Sequence, residues 1–129
     1  MLTDARVMAI VPTTDLARAR AFYGQTLGLT DLAVSTPGRQ VIYRCGGGTL
    51  LEVYERPTAG DAQHTLASWE VHDVRAAVDQ LRRRGVRFED YDLKEVKTEN
   101  GIATIGDYQE AWFRDPDGNI LRIHSQMGR

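Results

Sequence analysis

A single cysteine, Cys45, stands in this 129-residue chain, so no disulfide can brace it from within and the composition suits a reducing compartment. Histidine is scarce as well: His64, His72 and His124 are the whole supply, and a zinc or iron centre takes two or three. No apolar run approaches the roughly 20 residues that cross a bilayer. The opening Met1-Leu2-Thr3-Asp4-Ala5-Arg6 lacks the charged-then-apolar layout of a secretory leader, so a cytoplasmic location and no membrane partner are expected. Neither sign of charge dominates: 16 Lys and Arg face 18 Asp and Glu, a net charge of −2. That removes nucleic acid as the expected partner, because phosphate binding takes a basic face. Gly46-Gly47-Gly48 is no phosphate loop, since it leads into a strand pattern and lacks the following Lys-Ser/Thr. No Ser-His-Asp or Cys-His order stands out. What is left, 42% hydrophobic and 26% charged, is an ordinary globular composition at the length of one domain.

The chain repeats itself. Arg6–Pro12 is an apolar, strand-like run followed by Asp15-Leu16-Ala17-Arg18-Ala19-Arg20-Ala21-Phe22-Tyr23; Thr65–Val71 is followed by Asp73-Val74-Arg75-Ala76-Ala77-Val78-Asp79-Gln80-Leu81. Asp15 and Asp73 are placed to cap helices, where a carboxylate accepts free amide protons and meets the positive end of the helix dipole. Leu16, Ala19, Phe22, Tyr23 and Leu27 keep helical spacing, as do Val74, Ala77, Val78 and Leu81. Each helix pattern ends at a glycine, Gly28 or Gly85, which suits a left-handed terminal residue. The basic run Arg82-Arg83-Arg84 closes the second helix, where cations favour the dipole.

The halves also end alike. Gln40–Cys45 then Gly48–Glu55 in the first half match Glu110–Arg114 then Gly118–Ser125 in the second. The turn Asp115-Pro116-Asp117-Gly118-Asn119 combines proline, Asx side chains and glycine. Each half therefore reads as strand, helix and three strands. The reading is an α+β chain of two βαβββ modules, about 5–56 and about 64–126, forming one domain over 1–129. From cap to turn glycine the second half is 12 residues longer than the first (73 to 118 against 15 to 48), an insertion expected around Asp92 to Thr104. The segment Asp92 to Gly106 reads as a flap over a cup or as a long hairpin. Paired edge to edge, two curved sheets leave one concave cup lined by both halves, where a ligand would sit.

Asp15–Tyr23 with Leu27-Gly28-Leu29, taken together with Trp112-Phe113-Arg114-Asp115-Pro116-Asp117-Gly118-Asn119-Ile120-Leu121, resembles the vicinal oxygen chelate superfamily, which includes glyoxalase I, extradiol dioxygenases, and fosfomycin and bleomycin resistance proteins. The resemblance covers nearly the whole chain. It implies paired βαβββ modules, frequent homodimers, and a divalent metal held by up to four residues. Two of these lie seven residues before each capping Asp, and two lie four residues after each turn glycine. Those positions here are Met8, Leu66, Glu52 and Arg122. Only Glu52 is an ordinary ligand, and a guanidinium repels a cation, so no divalent metal and no other cofactor is expected. A substitute triad of Glu52, His64 and His124 is the alternative.

Without a metal, Glu52 and Arg122 become pseudosymmetric neighbours expected to pair across the cup. They form either a structural ion pair or a recognition site in which Arg122 grips a ligand carboxylate or phosphate and Glu52 orients it or acts as a base. Strand alternation adds Met8, Leu66, Tyr54 and His124 to the lining, with Trp112 or its neighbour Phe113, whereas Trp69 belongs beneath the helices. Two functions follow. One is a metal-independent small-molecule-binding protein that sequesters an antibiotic or metabolite. The other is a glyoxalase- or dioxygenase-related enzyme acting through Glu52, the candidate catalytic residue.

Overall fold

The computed structural model describes residues 1–35, 37 and 39–126. The first half runs β1 (Met8–Thr13), α1 (Leu16–Arg20) continued by a wider helical turn over Ala21–Thr26, β2 (Thr30–Ser35), β3 (Gln40–Arg44) and β4 (Leu50–Glu55). The second runs β5 (Thr65–Glu70), α2 (Val74–Arg83), β6 (Thr98–Glu99), β7 (Ile102–Ile105), β8 (Tyr108–Arg114) and β9 (Ile120–His124). The sheets are ordered β1-β4-β3-β2 and β5-β9-β8-β7-β6, with β1 parallel to β4 and β5 parallel to β9. This is the α+β architecture of two βαβββ modules that the repeat predicts. The first and last strands of each module pair because the helix returns the chain to the same end of the sheet.

The caps are where the sequence puts them. Asp15 accepts from the Arg18 amide at 3.1 Å and Asp73 from the Ala76 amide at 3.0 Å. Beneath both helices lies one continuous core. Val11, Ala19, Tyr23, Val41, Leu51 and Val53 of the first module join Val74, Val78, Ala111, Phe113, Leu121 and Ile123 of the second. Phe113 is its hub, meeting Phe22, Trp69 and Phe88, and Trp69 packs on the helix side as its parity requires. Trp112, one residue back, points to the opposite face and packs with Ala103, Ile120, Tyr91 and Val96.

The insertion is a hairpin. β7 is the counterpart of β2, so the added material is β6 and the segment leading to it rather than all of Asp92 to Thr104. Asn100 and Gly101 both take positive φ (53° and 83°), the conformation a two-residue hairpin turn needs. The Asp90 carboxylate accepts from Thr98 Oγ1 at 2.7 Å and the Gly101 amide at 2.9 Å, fastening the turn back to the strand side. Tyr91 meets Trp112 edge-on with ring centroids 5.5 Å apart, so this segment covers the second module's half of the cup.

β1 lies beside β5, and the turn between β8 and β9 locks the modules. Asp115 Oδ2 accepts from the buried Tyr23 hydroxyl at 2.6 Å, and Asn119 Nδ2 donates to the Pro12 carbonyl at 2.9 Å. Asp117 accepts from Thr13 Oγ1 at 2.5 Å, from the Thr14 amide and hydroxyl, and from Arg18 at 2.7 Å. Burial pushes the Asp117 carboxyl up, but the Thr13 and Thr14 hydrogen bonds and the Arg18 charge outweigh it and hold the group below its ordinary value. For Tyr23, burial and then the Asp115 carboxylate drive the phenol far above its usual range, so it stays a donor.

Two buried tyrosines of the same core give a direct contrast. Tyr23 satisfies a buried carboxylate, whereas the Tyr43 hydroxyl is buried with no hydrogen-bond partner among the described residues. Tyr23→Phe is expected to lower stability by about 1–3 kcal/mol, the cost of removing a buried hydrogen bond to a carboxylate that keeps only the Asn119 amide on that oxygen. Tyr43→Phe is expected to be neutral or stabilising. Urea unfolding of both variants checks the pair, and equal losses would contradict it.

Candidate functional site

The two modules are pseudosymmetric, but their locking turns are not. Where the second module carries Asp115-Pro116-Asp117-Gly118-Asn119, the first carries Cys45-Gly46-Gly47-Gly48-Thr49 at matching positions. Three glycines offer no side chain to grip the β5–α2 junction. A cleft of about 660 Å³ opens there instead, at the seam between β1/β4 and β5/β9. Val7, Ala9, Leu50, Leu51, Ala67 and Trp69 give it apolar walls, Cys45, Gly46, Gly47 and Thr49 form its lip, and Ser68, Glu70 and His124 supply the polar end. An apolar cavity with a few converging polar groups is the usual make-up of a small-molecule site.

The polar end belongs to a connected network on adjacent strands. Ser68 of β5 and Trp112 of β8 flank Arg122 of β9, while Glu70 and Glu110 flank His124. Arg122 donates from Nε to Ser68 Oγ at 2.9 Å and from Nη1 to the buried Glu110 carboxylate at 3.1 Å, which also accepts from the Tyr108 hydroxyl at 3.2 Å. A guanidinium only donates, so the Ser68 hydroxyl hydrogen is free to meet His124 Nδ1, 2.5 Å away, when the ring proton is on Nε2. In that tautomer Nδ1 is the acceptor; in the other, Nδ1–H donates to the second lone pair of the same oxygen. Burial, and after it the Arg122 charge, hold His124 below its ordinary value of 6.5 against the opposing pull of Glu70 and Glu110. The imidazole is neutral at pH 7, a base that in the first tautomer has its acceptor nitrogen already on a hydroxyl.

The sequence from residue 5 to residue 123 matches the model of the Glyoxalase/Bleomycin resistance protein/Dioxygenase superfamily. The chain belongs to this superfamily. Solved structures agree in fold. TnmS3, an antibiotic binding protein from Streptomyces sp. CB03234, aligns with a TM-score of 0.69 and 25% identity over 97% of this chain and 98% of its own. A glyoxalase family protein from Bacillus anthracis aligns with a TM-score of 0.70 and 18% identity, covering 94% and 92%. A glyoxalase/bleomycin resistance protein from Catenulispora acidiphila gives 0.66 and 22%, covering 94% and 97%. No protein of curated function matches the sequence.

The superfamily's metal-binding positions do not fit a metal in this chain. Met8 lies opposite Leu50, and Glu52 sits between Ile10 and Ile42 on the neighbouring strands. Leu66 is the extra residue of a bulge in β5, which puts Thr65 rather than Leu66 opposite Ile120; the Thr65 hydroxyl accepts from Trp112 Nε1 at 3.1 Å. The fourth position, Arg122, is a cation bonded to Ser68 and Glu110. Among the described residues no three His, Cys, Asp or Glu side chains converge as a metal site, and the substitute triad of Glu52, His64 and His124 is not assembled.

The expected Glu52–Arg122 pair is not formed. Arg122 takes its partner, Glu110, from the adjacent strand of its own module, and Glu52 makes no ion pair among the described residues. Of the other side chains named from the sequence, His124 lines the seam cleft, Tyr54 stacks beneath the Arg56 guanidinium at 5.9 Å, and Trp112 is buried under the insertion. Ser68 and Glu110 carry no motif that marks them as site residues; the register of β5 and β8 against β9 is what brings them to Arg122. No helix among the described residues is long and apolar enough to cross a membrane.

The depressed His124 has a thermodynamic consequence. The unfolded chain takes up its proton near 6.5, before the folded chain does, so folding loses stability as pH falls from 6.5 through the folded value and is unaffected by this group above it. An NMR titration of the imidazole is expected to give a midpoint below 6.5. A midpoint at or above 6.5 contradicts the burial of the ring.

Proposed function

We propose that this member of the superfamily is a metal-independent small-molecule-binding protein that holds an organic ligand in the seam cleft, its apolar body against Leu50, Ala67 and Trp69 and a hydrogen-bonding group at Ser68 and His124. The observation that carries the reading is the cleft itself, open where the first module's turn has glycine in place of the second module's anchoring carboxylates. With its proton on Nε2, the neutral His124 offers a donor for a carbonyl or phenolic oxygen. The likeness to an antibiotic binding protein supports a small-molecule ligand, and the unsuitable donors at Met8, Leu66 and Arg122 support binding without a metal.

Gly46 offers a clean test. A Cβ built there meets nothing within 4 Å, so Gly46→Phe can close the lip without disturbing the fold. With 8-anilinonaphthalene-1-sulfonate as probe, calorimetric titration is expected to show binding by the wild type that weakens at least about tenfold in Gly46→Phe, the loss of roughly 1.4 kcal/mol. Unchanged affinity would move the site elsewhere. Elemental analysis of protein purified without chelators is expected to find no stoichiometric divalent metal, and one metal per chain would overturn the metal-free reading.

The reading includes a homodimer in the cytoplasm. Edge strand β2 is exposed along its whole length, with Leu32 and Val34 both 44% accessible, and a bare sheet edge is a surface that proteins cover. Sedimentation velocity at micromolar concentration is expected to give a dimer; a monomer there refutes it.

A further inference from the structure

We propose that Ser68 and His124 form a nucleophile–base pair that hydrolyses small activated esters entering the seam cleft. The proposal rests on the cleft admitting small molecules and goes beyond holding them. A serine hydroxyl is a weak nucleophile until a base takes its proton, and the diagnostic arrangement is a base nitrogen within hydrogen-bond reach of the hydroxyl. Here Ser68 Oγ and His124 Nδ1 are 2.5 Å apart, and both residues line the cleft. The same oxygen has a second contact. Arg122 Nε donates to Oγ at 2.9 Å, which leaves the hydroxyl hydrogen available to the imidazole and sets a fixed positive charge beside the attacking oxygen. Glu110 anchors that guanidinium from the other side at 3.1 Å, so the donor does not swing away.

The chemistry balances without a metal or a redox partner. Oγ attacks the ester carbonyl carbon as its proton passes to Nδ1. The bond from that carbon to the alcohol or phenol oxygen breaks, and the leaving group takes the proton from the imidazolium. The serine is left as an ester. Water then attacks the acyl-serine carbonyl, giving up its proton to Nδ1; the carbon–Oγ bond breaks, the proton returns to Oγ, and a carboxylic acid leaves. The carbonyl carbon keeps its oxidation state throughout. The substrate class is a small ester with a good leaving group on an apolar acyl or aryl body that suits the Leu50, Ala67 and Trp69 walls.

The test uses 4-nitrophenyl acetate with the full chain. Expected are a burst of 4-nitrophenolate, an acetyl adduct on the peptide containing Ser68 in acid-quenched protein, and a steady rate that falls at least about 100-fold in Ser68→Ala and in His124→Ala, the range that a positioned base supplies. An adduct confined to lysines or the amino terminus, or a Ser68→Ala rate equal to wild type, overturns the proposal. The adduct is measured on wild-type protein, so it reports on Ser68 even where a variant fails to fold. Titration with 8-anilinonaphthalene-1-sulfonate runs alongside. Binding retained with no acetyl-serine refutes the dyad and leaves the cleft reading intact, whereas loss of both refutes the cleft as well.

Discussion

Two carboxylates and one carboxamide on a five-residue turn hold the two halves of this molecule in register. Asp115 and Asn119 are buried, and the Asp117 side chain is only 3% accessible. Each is therefore committed: a buried carboxylate without donors is costly, so the turn docks only where Tyr23, Thr13, Thr14 and Arg18 supply them. A buried hydrogen bond to a charged group contributes about 1.5–3 kcal/mol, and the bonds from Tyr23 to Asp115 and from Thr13 to Asp117 act across the module boundary. Everything the site consists of is downstream of this junction. It places β1 beside β5, and with them the walls of the seam.

The absence of the same device on the other side is equally consequential. A symmetric molecule would have two locked turns and no seam cleft. In this chain Cys45–Thr49 has lost the gripping side chains, and the space they would fill is bordered by the polar end of the second sheet. The structure thus divides labour between its repeats: one turn fixes the geometry, and the other leaves room beside Ser68 and His124. The insertion adds to the division, because Tyr91 and Val96 cover Trp112 and close the second module's half of the cup.

The repeat made the fold legible, and for good physical reason. Helix caps, turn glycines and strand alternation are local, and each is visible in a window of a few residues, as Asp15, Asp73, Gly28 and Asn100-Gly101 show. The two motifs that carried the family resemblance lie about a hundred residues apart in the chain, and the structure gives the reason they go together: Asp115, Asp117 and Asn119 of one bind Tyr23, Arg18 and the strand end next to the other. The site was less legible. Glu52 and Arg122 occupy matching positions in the repeat, but matching positions are not neighbours, and a charge pairs with what lies within reach on an adjoining strand. Arg122 faces Ser68 and Trp112 directly, and the carboxylate it reaches, Glu110, lies diagonally on the adjoining strand, opposite His124. The bulge at Leu66 is a second obstacle, since one extra residue in β5 shifts every inward position before it and no local pattern announces it. Ser68 could be named only once the register against β9 was known.

The locking turn also shapes how the molecule comes into being. Its bonds join residues 92 to 107 positions apart, and the core it seals runs unbroken through both modules. Hairpins and helices within each half close short loops and form early, while the contacts between halves wait on a long loop closure. The core is shared, so each half buries part of its apolar surface only against the other. In synthesis from the amino terminus, the first module waits for Asp115 and Asp117 before Tyr23 and Thr13 find their partners.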